Sequence, residues 1–150
     1  MVILVSKCLL GENCRYKGDN CKNEKILSLG EKHTIVGVCP EVLGGLPTPR
    51  APGERVGDKV IANTGVDVTE EYTLGAKKAL EIAREVGAEL CIFKAKSPSC
   101  GKGIIYDGTF SGNLIAGDGV TVELFKKHGF KIISEVDVDN GYFGNIADNV

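Results

Sequence analysis

The sequence predicts an α/β fold: a single three-layer sandwich with a mostly parallel, Rossmann-like sheet and long loops at the carboxyl edge of its strands. Two observations carry that expectation. Short apolar, β-rich runs alternate along the chain with stretches of helical period, the pattern of a parallel sheet with helices packed on it. Three of those runs lead into loops that carry Cys8, Cys39 and Cys100. With 150 residues, 43% of them hydrophobic, the chain suits one compact domain, which buries roughly 70% of the surface its unfolded form exposes.

Residues 2–6 are the first apolar run and read as a strand, with Cys8 just beyond it. A loop from Leu9 to Asn23 follows, and residues 24–29 form a weakly amphipathic helix through Ile26, Leu27 and Leu29, stopped at Gly30. Thr34–Val38 is β-branched and apolar, a strand that ends at Cys39. The next segment, 39–52, holds four of the five prolines together with Gly44 and Gly45. Fixed φ values make it a stiff loop. Valines and isoleucine between Val56 and Val68, interrupted by Asn63-Thr64-Gly65, predict a small hairpin.

Thr69 is the expected N-cap of the most strongly patterned helix. Glu70 and Glu71 suit its first turn, Tyr72, Ala76, Ala79, Leu80, Ala83 and Val86 form its apolar face, and Gly87 stops it. Leu90–Phe93 is a continuous apolar strand, and Lys96-Ser97-Pro98-Ser99-Cys100-Gly101 is the loop beyond it. Residues 104–114 read as Gly-rich and irregular, 120–128 as a helix, and 130–134 as a last strand. The expected domain covers 1–136, and 137–150 reads as a loose polar tail.

Charge and cysteines narrow the function. Twenty acidic against eighteen basic side chains give a net charge of -2, so no positive field invites a nucleic-acid backbone. The apolar start, Met1 to Cys8, is too short to span a bilayer and lacks a basic leader. A cytoplasmic, membrane-free protein is expected, in a compartment that keeps thiols reduced. There the six cysteines point to metal binding or catalysis rather than disulfides, and none forms a CxxC pair.

Parallel strands bring their carboxyl ends to one edge, so Cys8, Cys39 and Cys100, 31 and 61 residues apart, are candidates for one site. Three thiolates together suit an iron–sulfur cluster or a soft metal. Three protein ligands on a four-iron cluster leave one iron open, as a catalyst needs. Glu41, two residues after Cys39, is placed to act as proton donor or as base for water, or else to pair with Arg50. Ser97, three residues before Cys100, is a further candidate, or a turn former. Cys91 lies inside a strand and reads as core, whereas Cys14 and Cys21 are near enough to Cys8 to be alternative ligands. His33 and His128 fit surface or helix-end roles, and Gly117 and Gly119 match anion binding at a helix start only weakly.

Four stretches in combination resemble the thiouracil desulfidase (desulfurase) family. They are Ser6-Lys7-Cys8-Leu9-Leu10-Gly11 with Arg15-Tyr16-Lys17-Gly18, and Cys39-Pro40-Glu41 with Gly44-Gly45-Leu46-Pro47-Thr48-Pro49-Arg50. Ser97-Pro98-Ser99-Cys100-Gly101 and Tyr106-Asp107-Gly108-Thr109-Phe110 complete the set. Lys17 stands where the family more often has Asp, and Lys7 replaces a small residue. The resemblance implies an oxygen-sensitive 4Fe–4S cluster held by Cys8, Cys39 and Cys100, with Glu41 and Ser97 as acid–base and substrate-orienting groups. It further implies that the sulfur of a thiolated pyrimidine binds the fourth iron and is replaced by water without net redox change. The implied partner is a small thiolated nucleobase. Two other classes compete: a protein that uses a cluster or metal structurally, and a sulfur carrier or redox sensor with exposed thiols.

Overall fold

The structure is a computed structural model, and it describes residues 1–144. Its centre is a parallel sheet of four strands, β1 (Val2–Ser6), β2 (Thr34–Val38), β5 (Leu90–Phe93) and β8 (Ile132–Ser134), in the order β2-β1-β5-β8. Leu4 pairs with Val36 on one side and Cys91 on the other, and Cys91 pairs in turn with Ile132. Alternate residues serve opposite faces. Leu4, Val38, Cys91, Phe93 and Ile132 pack on α3 (Thr69–Val86) and α4 (Val120–Lys127). Ile3, Val5, Leu90, Ile92 and Ile133 face the other layer, which includes α1 (Glu24–Ser28) and α5 (Glu135–Asp139). Both faces are covered, which is why these strands read as continuous apolar runs rather than as alternating ones.

The strand order has a consequence for ligands. The chain runs from β1 over one face to β2, then crosses back over the opposite face through α3 to β5, on the far side of β1. Direction therefore reverses between β1 and β5, and the helices diverge there, leaving a crevice at the carboxyl ends.

Helix α3 forms as its period predicts, with Tyr72, Gly75, Ala76, Ala79, Leu80 and Ala83 buried and Gly87 closing it at φ 64°. The cap differs. Thr69 is the first helical residue; its hydroxyl oxygen accepts the Val60 amide at 2.9 Å, while Asp67 accepts the Thr69 amide at 2.9 Å. The side-chain hydrogen bond and the amide of Thr69 hold the Asp67 carboxyl below its usual range.

Part of the proline-rich segment is helical. Pro40 occupies the first turn of α2 (Pro40–Leu43), where a missing amide costs nothing. Helix α2 lies directly on α3. A Cβ on Gly44 would overlap the Glu71 carbonyl, and one on Gly75 would overlap the Pro40 carbonyl. Two glycines thus set how closely the helix after Cys39 approaches α3.

Other expectations are corrected. The hairpin pairs β3 (Gly53–Val56) with β4 (Lys59–Ala62), turning before the expected Asn63-Thr64-Gly65, which instead folds Asp67 back onto Ile61. Residues expected to be irregular form a second hairpin, β6 (Ile104–Tyr106) with β7 (Leu114–Ala116), too short and too exposed to show a period. The last strand starts at Ile132, because Phe130 stacks on Phe125 with ring centroids 5.1 Å apart. The expected loose tail from 137 begins inside α5, whose Ser134 capping box and buried Val138 dock it; residues 145–150 of that tail lie outside the described residues.

Gly75→Ala is expected to destabilise the protein by about 1–3 kcal/mol, the range for an added methyl in a filled contact. A urea titration checks this; an unchanged midpoint would mean that α2 is free to slide on α3.

Candidate active site

Three strand ends feed one cavity of about 640 Å³. After β1 the chain makes a 3-10 turn, Lys7–Leu10, that ends at Gly11 with φ 95° and leaves Cys8 buried. After β2, Cys39 stands at the start of α2. After β5, the Lys94–Gly101 loop brings in Ser97 and Cys100. Cys8, Cys39, Cys100, Glu41 and Ser97 all line the cavity, and so does Cys14 from the first loop.

Cys14 and Cys39 are neighbours, the Cys39 thiol donating to the Cys14 carbonyl at 3.9 Å. The Cys14 pKa is lowered by Cys39, but Cys8 and burial outweigh that and push it up to about 11. The Cys39 thiol is raised well above its usual range, first by Cys14, then by burial and by the Glu41 charge. Burial, followed by Glu41, raises Cys100 in the same sense. Without a metal these three are neutral thiols at neutral pH, so loading one must release protons. Among the described residues no three His, Cys, Asp or Glu side chains converge on the place of a single ion. The donors stand around a wide wall instead, and they are soft sulfur, the donor set that iron–sulfur clusters take.

The Cys100 loop is locked to α4. Its carbonyls take the first amides of that helix: Gly119 donates to Gly101 at 2.7 Å, Val120 to Pro98 at 2.9 Å and Thr121 to Ser99 at 2.9 Å. These amides are used up, which removes the anion site that Gly117 and Gly119 had suggested. A Cβ on Gly119 would overlap Ser99, and one on Gly101 would lie 2.6 Å from the Ser97 carbonyl oxygen. Beneath the loop, the fully buried Ser99 and Thr121 hydroxyls pair at 2.7 Å. The Ser97 side chain does form a turn, as one reading had it: its Oγ accepts the amides of Ser99 (3.1 Å) and Cys100 (3.0 Å). Both acceptor positions are thereby filled, and the hydroxyl proton remains to be donated into the cavity.

Glu41 is paired as well as placed. Its Oε2 accepts from Arg50 Nη2 at 3.0 Å, with the arginine side chain only 6% exposed. The same nitrogen donates to the Cys14 carbonyl (3.0 Å), and Nη1 donates to the Pro47 carbonyl (3.2 Å) and Thr48 Oγ1 (3.3 Å). One guanidinium thus fixes Glu41, the Cys14 loop and the proline loop together. Across the cavity, buried Glu54 accepts the amides of Gly108 (3.0 Å) and Phe110 (3.1 Å), holding the Tyr106–Phe110 stretch over the mouth. Lys96 and Phe110, both on the wall, have positive φ values of 67° and 56°, a strain that non-glycine residues seldom carry away from functional sites.

The remaining candidates lie apart from the cavity wall. Cys91 is wholly buried between sheet and helices, its thiol pushed up by burial to about 12. Cys21 packs in the other core layer and donates its amide to the Cys8 carbonyl at 2.9 Å. His33 meets the amino terminus and His128 meets Arg84. Two wall residues escaped the sequence reading. Glu54 sits in a short strand without a motif, and Tyr72 falls in the apolar period of α3, where it reads as core.

Comparison with known proteins places the chain among relatives. The family model described as 2-thiouracil desulfurase matches residues 3–137. A Bacillus subtilis (strain 168) protein, the uncharacterized protein YbbK, is 46% identical over a 149-residue alignment covering 93% of this chain and 99% of the relative. A solved [4Fe-4S]-dependent thiouracil desulfidase, TudS (DUF523Vcz), is 42% identical and superposes with a TM-score of 0.86, covering 92% of this chain and 93% of that one.

The Arg50 hub yields a stability test. Arg50→Lys keeps the charge but not the fork, so stability should fall by about 2 kcal/mol, a melting temperature lower by roughly 4–8 °C. Thermal unfolding that matches the parent would show that the hub is replaceable by a point charge.

Proposed function

The chain belongs to the 2-thiouracil desulfurase family, and from that membership we propose that it removes sulfur from a small, free thiolated pyrimidine. In this reading Cys8, Cys39 and Cys100 hold a 4Fe–4S cluster in the cavity. The observation that supports it most is the meeting, in one cavity at the switch point of the sheet, of thiols from three strand ends with Glu41 and Ser97. When bound, such a cluster supplies an open, soft iron suited to a thiocarbonyl sulfur.

The rest is the work of this chain's own groups. The reaction exchanges sulfur for oxygen: a C=S group and water become C=O and hydrogen sulfide, and no electrons change hands. Water adding to the ring carbon must lose a proton; of the two carboxylates on the wall, Glu54 holds the Gly108 and Phe110 amides, and Glu41 is the one to take it. Arg50 bonds its Oε2 and leaves Oε1 for that task. Ser97, with its acceptor positions filled, donates to an acceptor on the ring or to the departing sulfur. The mild net charge of -2 suits a free base better than a polynucleotide. No helix among the described residues is long and apolar enough to cross a membrane.

Cys14 favours a second reading, because it lines the same cavity as Cys8 and the Cys39 thiol lies 3.9 Å from its carbonyl oxygen. A fourth thiolate would close the cluster and leave a structural or electron-transfer site. Serine substitutions separate the two after anaerobic reconstitution. Cys8→Ser, Cys39→Ser and Cys100→Ser should each lose iron and the brown absorption, while Cys14→Ser and Cys91→Ser retain them. Loss of iron from Cys14→Ser, with no desulfuration by the parent, would establish the closed site instead.

Glu41→Gln should keep the cluster spectrum and lower sulfide release on the order of a hundredfold or more. Because Arg50 is buried beside it, the change should also cost about 1–3 kcal/mol of stability, more than a surface pair would. Assays therefore belong well below the variant's melting temperature. Near-normal release from cluster-loaded Glu41→Gln would remove Glu41 from the chemistry.

A further inference from the structure

Tyr72 enters the cavity from the first turn of α3. The residue is only 4% exposed, yet it forms part of the cavity wall. Among the described residues its hydroxyl has no hydrogen-bond partner, and it is not sealed off, since no buried side-chain polar atom there lacks one. The hydroxyl therefore keeps some exposure, on a residue that lines the cavity. Burial, then the Glu41 charge, raises its pKa against the opposing pull of Arg50, so the phenol stays a neutral donor. Its approach is kept clear by Gly53, where a Cβ would stand 3.2 Å from the hydroxyl oxygen.

Away from the reacting 2-position, 2-thiouracil and uracil carry an N3–H and a 4-carbonyl side by side on the ring. A carboxylate accepts from the first and a hydroxyl donates to the second. We infer that Tyr72 reads the carbonyl of this pair, donating its hydroxyl proton to it and so setting which nucleobase the cavity accepts. The inference rests on the desulfurase reading above. A rigid ring packed in α3 holds the donor in place at little entropic cost.

The test uses two sulfur-free ligands, so that it reads recognition rather than turnover. Uracil has the N–H and C=O pair; pyrimidin-2-one keeps the ring and the 2-oxygen but lacks the 4-carbonyl and the neighbouring N–H. Calorimetric titration of the anaerobically reconstituted protein should show that Tyr72→Phe weakens uracil about five- to tenfold, the effect of one lost buried hydrogen bond. Pyrimidin-2-one should change by about twofold or less. Gly53→Ala, which crowds the hydroxyl while leaving it in place, should shift the same ratio in the same direction. A packing defect would weaken both ligands alike, so equal losses overturn the inference, as does unchanged uracil binding. A parent protein that binds uracil without this coupling sinks only the role of Tyr72. One that binds neither ligand, and releases no sulfide from 2-thiouracil, sinks the desulfurase reading and this inference with it.

Discussion

Parallel pairing of β1 with both β2 and β5 is the constraint from which the site follows. The three strands run side by side because each buries apolar side chains on both faces. Removing any layer would expose a run such as Leu90–Phe93, every residue of which is buried, at roughly 1.5–3 kcal/mol for each large side chain. Once the strands are held in that order, their carboxyl ends have one edge to share. Cys8, Cys39 and the loop carrying Cys100 then open on common space without any direct sequence link between them.

The loops beyond that edge are made rigid by backbone chemistry more than by side-chain packing. Glycines at 44, 75, 101 and 119 let carbonyls and helices approach to distances a side chain would prevent. The amides opening α4 are satisfied by the Ser97–Gly101 loop, and so helix start and cysteine loop form one unit. Arg50 and Glu54 play the matching part on the two flanks, one charge collecting carbonyls and a carboxylate, the other collecting amides. Buried charges satisfied several times over hold loops in place, whereas singly paired ones would leave desolvation uncompensated.

The cavity itself is not built for stability. It keeps thiols and a phenol in neutral form around a carboxylate and strains the backbone at Lys96 and Phe110. Such features persist where a ligand uses them.

The sequence by itself determined the sheet strands almost to the residue: Val2–Ser6, Thr34–Val38 and Leu90–Phe93 are observed as read, and α3 runs from Thr69 to Val86. Those elements carry strong local signals, a doubly buried strand being continuously apolar and a long helix keeping its period. The place of Cys8, Cys39 and Cys100 past strand ends was equally legible, because position along a parallel strand fixes which edge a residue meets. Only tertiary structure decided the rest. The short hairpins and α2 have too few residues to show a pattern, and α5 is set by its capping box and the burial of one valine. That Cys14 lines the cavity while Cys21, seven residues on, does not, though both pack against the same core layer, depends on how one loop folds back on Cys8. Tyr72 was invisible for a related reason: periodicity tells which face of a helix is buried, but not that one turn of that face looks into a cavity rather than a core.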